Sequence, residues 1–186
     1  MRKTTVILAI AFSGIALYSF TSGRAQSADP AAADIQWVTW EQLAEKSKKE
    51  RRKVVVDVYT DWCGWCKRMD ATTFSQPQIV RYVNEKYYAV KFNAEMKEDI
   101  TFKGEEFRFV KNGMRGYHEL AAKITSGRLS YPTVVFLDEN LEVIQAIPGY
   151  RDAREFEMIM TYFGENQYQK VPWETYQEKY KPLTKN

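Results

Sequence analysis

Residues 53–67 read Lys53-Val54-Val55-Val56-Asp57-Val58-Tyr59-Thr60-Asp61-Trp62-Cys63-Gly64-Trp65-Cys66-Lys67. The β-branched run over 53–60 is continuous enough to form a buried central strand, with one acid, Asp57, inside it. It leads straight into the chain's two cysteines, Cys63 and Cys66, and from Cys63 the pattern turns helical to about Phe74. A Cys-x-x-Cys that opens a helix just after a strand places its first sulfur among unpaired N–H groups at the positive end of the helix dipole, which favours an anion. The thiolate is the nucleophilic form of cysteine, so Cys63 is expected to be the more acidic thiol and the attacking group. Cys66, one turn deeper, is placed to resolve. The spacing suits reversible disulfide exchange.

Other uses of the pair compete with that reading. Structural staples normally join distant segments, because closing a longer loop removes more entropy from the unfolded chain. A bridge across two residues staples almost nothing. A closed zinc site wants four ligands; with no second cysteine pair and His118 the lone histidine, no metal site is expected. A two-coordinate copper(I) carrier stays open. So does an interaction module whose working surface is the 94–115 segment and whose cysteines are idle.

The N-terminus reads as a secretory signal: Arg2 and Lys3, an apolar run from Val6 to about Phe20, then small and polar residues. The run is shorter than the ~20 residues that span a bilayer, and Gly23-Arg24-Ala25 or Gln26-Ser27-Ala28 offers a cleavage point. With no cysteine there, lipid attachment is excluded. An uncleaved anchor is the alternative. The expectation is an exported, periplasmic, soluble protein with a signal over 1–25 and a single domain over 26–186. Residues 1–25 carry Arg2, Lys3 and Arg24 and no acid, so their loss takes the formal charge from +3 down by those three to zero. A neutral surface gives no electrostatic case for a nucleic-acid partner. The basic cluster Lys46, Lys48, Lys49, Arg51, Arg52, Lys53, interrupted by Glu50, reads as a solvated helix face.

Working outward, Thr39 caps a helix to about Arg51, with Gln42 completing a capping box and Val38 and Leu43 a hydrophobic staple. Ser75-Gln76-Pro77-Gln78 starts a helix with Ile79, Tyr82 and Val83 on one face. Tyr87 to Phe92 is a strand. Tyr117, Leu120, Ala121 and Ile124 predict an amphipathic helix over 116–126, with His118 one position off its apolar stripe and so at the surface. Pro132 to Leu137 and Glu142 to Ile147 are antiparallel strands around Asp138-Glu139-Asn140. Asp152 caps a helix carrying Phe156, Ile159, Met160 and Phe163. Residues 94–115 lack a helical stripe and admit a hairpin of Ile100-Thr101-Phe102 with Phe107-Arg108-Phe109. Residues 165–186 form an extension with a helix from Trp173 to Tyr180. The order is β-α-α-β-α-β-β-α, an α/β domain.

Over 53–164 this arrangement resembles the thioredoxin superfamily. Asp57 lies six residues before Cys63, Trp62 precedes the first cysteine, Tyr131-Pro132-Thr133 opens the strand facing the pair, and Gly149 leads into the last helix. The wording Asp61-Trp62-Cys63-Gly64-Trp65-Cys66-Lys67, followed by Met69 and Thr73-Phe74-Ser75, looks more like exported thioredoxin-like proteins and the C-terminal domain of DsbD than like cytosolic thioredoxin. The resemblance implies a central mixed sheet flanked by helices, with an N-terminal helix, an insertion over 94–115 and a C-terminal extension.

It also implies roles. Cys63 forms a mixed disulfide with a substrate protein and Cys66 attacks it, so the redox-active group is the cysteine pair and no bound cofactor is needed. Asp57, with a raised pKa, takes the proton of Cys66; a solvated edge carboxylate is its bland alternative. Pro132, in cis, presents the backbone of Tyr131 to an extended substrate segment. Trp62 and Trp65 form an apolar rim. The partners implied are disulfide-bearing substrate proteins and a membrane electron donor of the DsbD type. Trp65 supplies no positive charge or donor to Cys63, which favours a reductant over an oxidase or isomerase.

Overall fold

The computed structural model describes residues 34–183; the expected signal segment lies outside them. The quoted stretch is strand β2 (Lys53–Tyr59) followed by helix α2 (Gly64–Met69). Strands β1 (Trp37–Val38), β3 (Tyr87–Asn93), β8 (Thr133–Leu137) and β9 (Val143–Pro148) join β2 in one sheet of order β1-β3-β2-β8-β9. Strands β1 and β2 both run parallel to β3 between them, while β8 runs antiparallel to β2 and β9 antiparallel to β8. The short strand β1 escapes the sequence pattern because two residues carry no period. This is the thioredoxin arrangement that the resemblance implied.

Central β2 is buried on both faces, which explains its unbroken apolar run. Successive side chains point to opposite faces. Val54, Val56 and Val58 join a core with Leu43 of helix α1 (Trp40–Lys49) and Leu120 of helix α4 (Glu119–Ile124). Val55 joins the other core, with Ile79 of helix α3 (Pro77–Lys86) and Phe156 of helix α5 (Ala153–Gly164). Asp57, two residues on, points to that second side, where the cysteine-bearing helix also packs its Met69. The α1 capping box forms as expected, Gln42 N–H donating to Thr39 Oγ1 and Thr39 N–H to Gln42 Oε1.

The insertion holds two hairpins. Strands β4 (Ile100–Phe102) and β5 (Glu105–Phe107) turn at Lys103-Gly104, both with positive φ, and bury Ile100, Phe102 and Phe107. Strands β6 (Phe109–Asn112) and β7 (Arg115–His118) form a second hairpin, and its last residues, 116–118, occupy the start of the helix that the spacing predicted over 116–126. Helix α4 therefore begins at Glu119, and Tyr117 lies in a strand. Its coincidental spacing with Leu120 imitated a helical turn. Gly116 is required where β7 pairs with β6, since a Cβ there would lie 2.5 Å from the Val110 carbonyl oxygen and 2.2 Å from Phe109.

His118 is fully buried, not at the surface. It caps α4, its Nδ1 accepting from Leu120 N–H and its Nε2 donating to the Glu98 carbonyl, with its ring edge-on to Phe92. Burial holds its pKa below the ordinary value. Lys53 is likewise no solvated helix residue: it opens β2, buried, and pairs with Glu139. The C-terminal extension lays helix α6 (Trp173–Lys179) against α5, where Trp173 and Tyr176 pack on Tyr162. None of the helices among the described residues is long and apolar enough to cross a membrane.

Candidate active site

Cys63 and Cys66 form a disulfide. Cys63 is the N-cap of α2, and the Cys66 backbone N–H donates to its sulfur at 3.1 Å. That contact is the local expression of the helix-start argument: an N–H that lacks a carbonyl partner in the first turn points at the sulfur. Both residues are largely enclosed, Cys63 keeping 5% exposure and Cys66 2%. The Tyr131–Pro132 bond is cis. The Pro132 carbonyl accepts from Gly149 N–H at 2.8 Å, which ties this loop to the end of β9.

Below the cysteines, α2 continues as a π-helical turn over Asp70–Phe74. Asp70 stands one turn beyond Cys66, so the two share a helix face. In the parallel register Asp57 of β2 lies beside Lys91 of β3. The Lys91 ammonium donates to Asp57 Oδ2 at 2.6 Å and pairs with Asp70 as well. The same ammonium lies over the rings of Trp37, Tyr59 and Phe74, with the nearest centroids at 5.1 Å. Two carboxylates thus share one cation in an aromatic box.

Asp57 is enclosed, not a solvated edge carboxylate. Its burial outweighs the attraction of Lys91, with Asp70 adding repulsion, and its pKa is pushed up to about 6. Its second oxygen, Oδ1, is buried with no hydrogen-bond partner, so it is open to a proton. For Lys91, burial opposes the charge, yet the two carboxylates together hold its pKa above the ordinary value.

Above the cysteines, Trp62 and Trp65 are more than half exposed. Trp62 is fixed from three sides: its Nε1–H donates to Glu95 Oε2 at 3.0 Å, its ring is edge-on to Tyr131, and the Arg115 guanidinium lies 4.4 Å over it. Trp65 packs on Tyr150, and Arg68 covers both rings. Of the seven residues singled out from the sequence, Trp62, Cys63, Trp65 and Cys66 lie on the turn after β2 and in α2, Trp62 meets Tyr131 of the cis Tyr131–Pro132 bond, and Asp57 inside β2 shares Lys91 with Asp70, one turn past Cys66. Lys91, Asp70, Arg115 and Tyr150 were missed. Asp70 was legible as the position four after Cys66, whereas Lys91 needed the register of β3 on β2, which no local pattern carries. Among the described residues, no group of three or more His, Cys, Asp or Glu could hold a metal ion.

A family model described as a thioredoxin-like domain matches residues 40–164, and the chain belongs to that family. Among curated proteins, the thiol:disulfide interchange protein DsbD of Haemophilus ducreyi is 27% identical over 165 residues, covering 83% of this chain and 25% of DsbD. Spermatogenesis-associated protein 20 of Mus musculus is 31% identical over 67 residues, covering 36% of this chain and 8% of that protein. The chain therefore spans a small part of either relative. Among solved structures, a DsbH oxidoreductase superposes with a TM-score of 0.52 at 16% identity, covering 76% of this chain and 92% of its own. A thioredoxin-fold protein from Helicobacter pylori superposes with a TM-score of 0.53 at 18% identity, covering 69% and 83%. These structural likenesses establish the fold. Together with the DsbD relationship, they describe a thioredoxin-like protein related to thiol–disulfide exchange proteins and carrying a disulfide-forming Cys63–Cys66 pair.

Proposed function

We propose that this protein is an exported thiol–disulfide oxidoreductase that reduces disulfides in substrate proteins. In the reduced protein the Cys63 thiolate attacks one sulfur of a substrate disulfide, forming a Cys63–substrate bond and releasing the other substrate sulfur as a thiolate that takes up a proton. Cys66, having passed its proton to Asp57, attacks the Cys63 sulfur. The second substrate thiolate leaves, and the protein ends with the Cys63–Cys66 disulfide. Two electrons pass from the protein to the substrate; of the two protons its thiols gain, one is that of Cys66, returned from Asp57 to the leaving thiolate, and the other comes from solvent, which took the Cys63 proton on ionisation. Asp57 acts as base, Pro132 and Tyr131 align the substrate backbone, and Trp62 and Trp65 form its apolar contact. No bound cofactor takes part; a membrane donor of the DsbD type returns the electrons.

The observation that carries this reading is the Cys66 N–H on the Cys63 sulfur at the start of a helix, together with an enclosed carboxyl, Asp57, that keeps one oxygen unpaired and shares Lys91 with Asp70 one turn past Cys66. Its unit is residues 26–186, freed from the signal over 1–25, with the core over 53–164, the insertion over 94–115 and the extension over 165–186. A redox titration against glutathione tests the direction. A midpoint well below about −200 mV supports a reductant, and one near −120 mV an oxidase. Stoichiometric copper(I) binding without reductase activity, or a Cys63→Ser variant with unchanged partner binding and phenotype, would sink the enzymatic reading.

A further inference from the structure

Two exposed tryptophans, one on each side of Cys63 in the chain, each carry an arginine stacked on the indole face. Arg115 lies 4.4 Å over Trp62 and Arg68 5.2 Å over Trp65. The two stacks come from unrelated parts of the fold. Arg68 belongs to α2, while Arg115 is delivered by the second hairpin of the insertion, whose close pairing of β7 on β6 demands Gly116.

A guanidinium stacked by its face keeps its N–H edge free, and that edge matches a carboxylate in a bidentate fork. The local charges leave these edges available. Nearby acids are engaged: Asp61 accepts from Asn93 at 3.0 Å, Glu95 accepts from Trp62 at 3.0 Å, and Asp70 is paired to Lys91. Arg68, Arg115 and the exposed Lys67 of α2 form no ion pair with a carboxylate among the described residues. A shallow groove of about 170 Å³ runs from Arg115 and Tyr117 to Leu129 and Tyr131, beside the backbone expected to pair with substrate, with Glu95, the acceptor of the Trp62 N–H, in its wall.

We propose that the two arginine–tryptophan stacks are the specificity element of the site, selecting extended protein segments that carry carboxylates on both sides of the attacked cysteine. This rests on the disulfide-exchange reading and adds a substrate class to it. On this view the second hairpin is present to hold Arg115 over Trp62.

The test uses three disulfide-linked peptide dimers of one sequence, with a central cysteine flanked on both sides by Glu, Gln or Lys. The second-order rate at which each oxidises the pre-reduced protein is read by quenching and thiol alkylation. Exposed charge pairs and steering predict a Glu-over-Gln preference of roughly two- to tenfold and a Lys peptide slower than both. At 0.5 M salt the order should collapse. In an Arg68→Gln/Arg115→Gln variant the Glu-to-Lys rate ratio should fall close to one. The salt arm uses the parent protein and so does not depend on the variant folding. A Glu-over-Gln preference under about twofold, or a ratio that the variant keeps, overturns the proposal. Uncharged 2-hydroxyethyl disulfide separates the two levels: if the parent reduces it while the peptides are not discriminated, only the specificity reading fails. If the parent reduces none of these disulfides, the exchange reading fails as well.

Discussion

The floor and the rim of the cysteine site invert the usual distribution of polarity. The floor is ionic and closes inward: side-chain exposure falls from 44% for Asp70 at its edge to 21% for Lys91 and 1% for Asp57. The rim is aromatic and open, with Trp62 at 52% and Trp65 at 56%. Proteins ordinarily bury rings and expose charges. Where water is excluded a neighbouring charge moves a pKa strongly, whereas an exposed pair is screened to about 0–1 kcal/mol. The floor can therefore set the reactivity of a sulfur, and the rim can only select what reaches it. Changes to the floor should alter rate constants and pH profiles; changes to the rim should alter which substrate reacts.

The largest expected effect comes from the sulfur facing the floor. A Cys66→Ser variant keeps an attacking Cys63 but cannot resolve, so turnover should fall about a thousandfold or more and a mixed disulfide should accumulate. Intact-mass spectrometry after mixing with a substrate disulfide reads that adduct. Cys63→Ser should lose turnover as far and form no adduct. Equal adduct formation by both variants would remove the asymmetry between the two sulfurs.

Asp57→Asn comes next. Loss of the base should lower turnover on the order of a hundredfold, and the variant also separates floor from fold through stability. The Asp57 pKa is raised on folding from 3.8 to about 6. A raised acid gives stability that is present in full below the unfolded value and lost as pH rises through the folded one. The parent should thus lose on the order of 3 kcal/mol relative to Asp57→Asn between about pH 4 and pH 7. Urea midpoints of both proteins across that range measure it. A constant difference between them would mean that the carboxyl titrates normally.

The contrast between floor and rim also explains what was legible in the sequence. Most of the strands and helices followed from local periodicity, whereas their assembly into one mixed sheet, and the choice of disulfide exchange over the other uses of the cysteine pair, rested on the resemblance. Asp57 was visible as one acid in an apolar strand. Lys91 was not, because Tyr87–Asn93 alternates like any half-buried strand and its lysine gains meaning only from the residue it lies beside. Arg115 was hidden for a different reason: the Tyr117 spacing mimicked a helix, and the turn at Gly113-Met114 gives a weak local signal against a stripe of four apolar residues. His118 was misplaced with it, since a histidine off the stripe of a helix faces water while one ending a strand caps the helix that follows.

Two single-charge changes sharpen the account of the floor at smaller amplitude. Asp70→Asn removes a like charge from beside Asp57 and leaves Lys91 to it alone, so the Asp57 pKa should fall and the acid limb of the pH–rate profile should move to lower pH. Lys91→Met removes the attraction, so the same limb should move to higher pH. Opposite displacements identify an electrostatic cluster acting on Asp57. Displacements of one sign would show that both variants merely disturb the packing of α2 on β3.

The rim should give the smallest effect on the isolated protein and the most selective one on its reaction. Trp62→Ala and Trp65→Ala remove side chains that are already more than half in water, so little burial is lost and the stability change should stay within about 1 kcal/mol. Neither ring touches the Asp57–Lys91–Asp70 cluster, so the pH at which the rate titrates should not move. What is lost is contact area offered to a partner, together with the platform under an arginine. The expected signature is a KM for a protein disulfide raised a few-fold with kcat nearly unchanged, since such contacts are made equally before and during the sulfur exchange. Trp62→Phe sharpens the test: it keeps an aromatic face for Arg115 but cannot donate to Glu95, so KM should stay closer to the parent than in Trp62→Ala. If either alanine variant shifted the pH–rate profile as far as Asp70→Asn does, the rim would be coupled to the floor, and the division between selecting a partner and activating a sulfur would not hold.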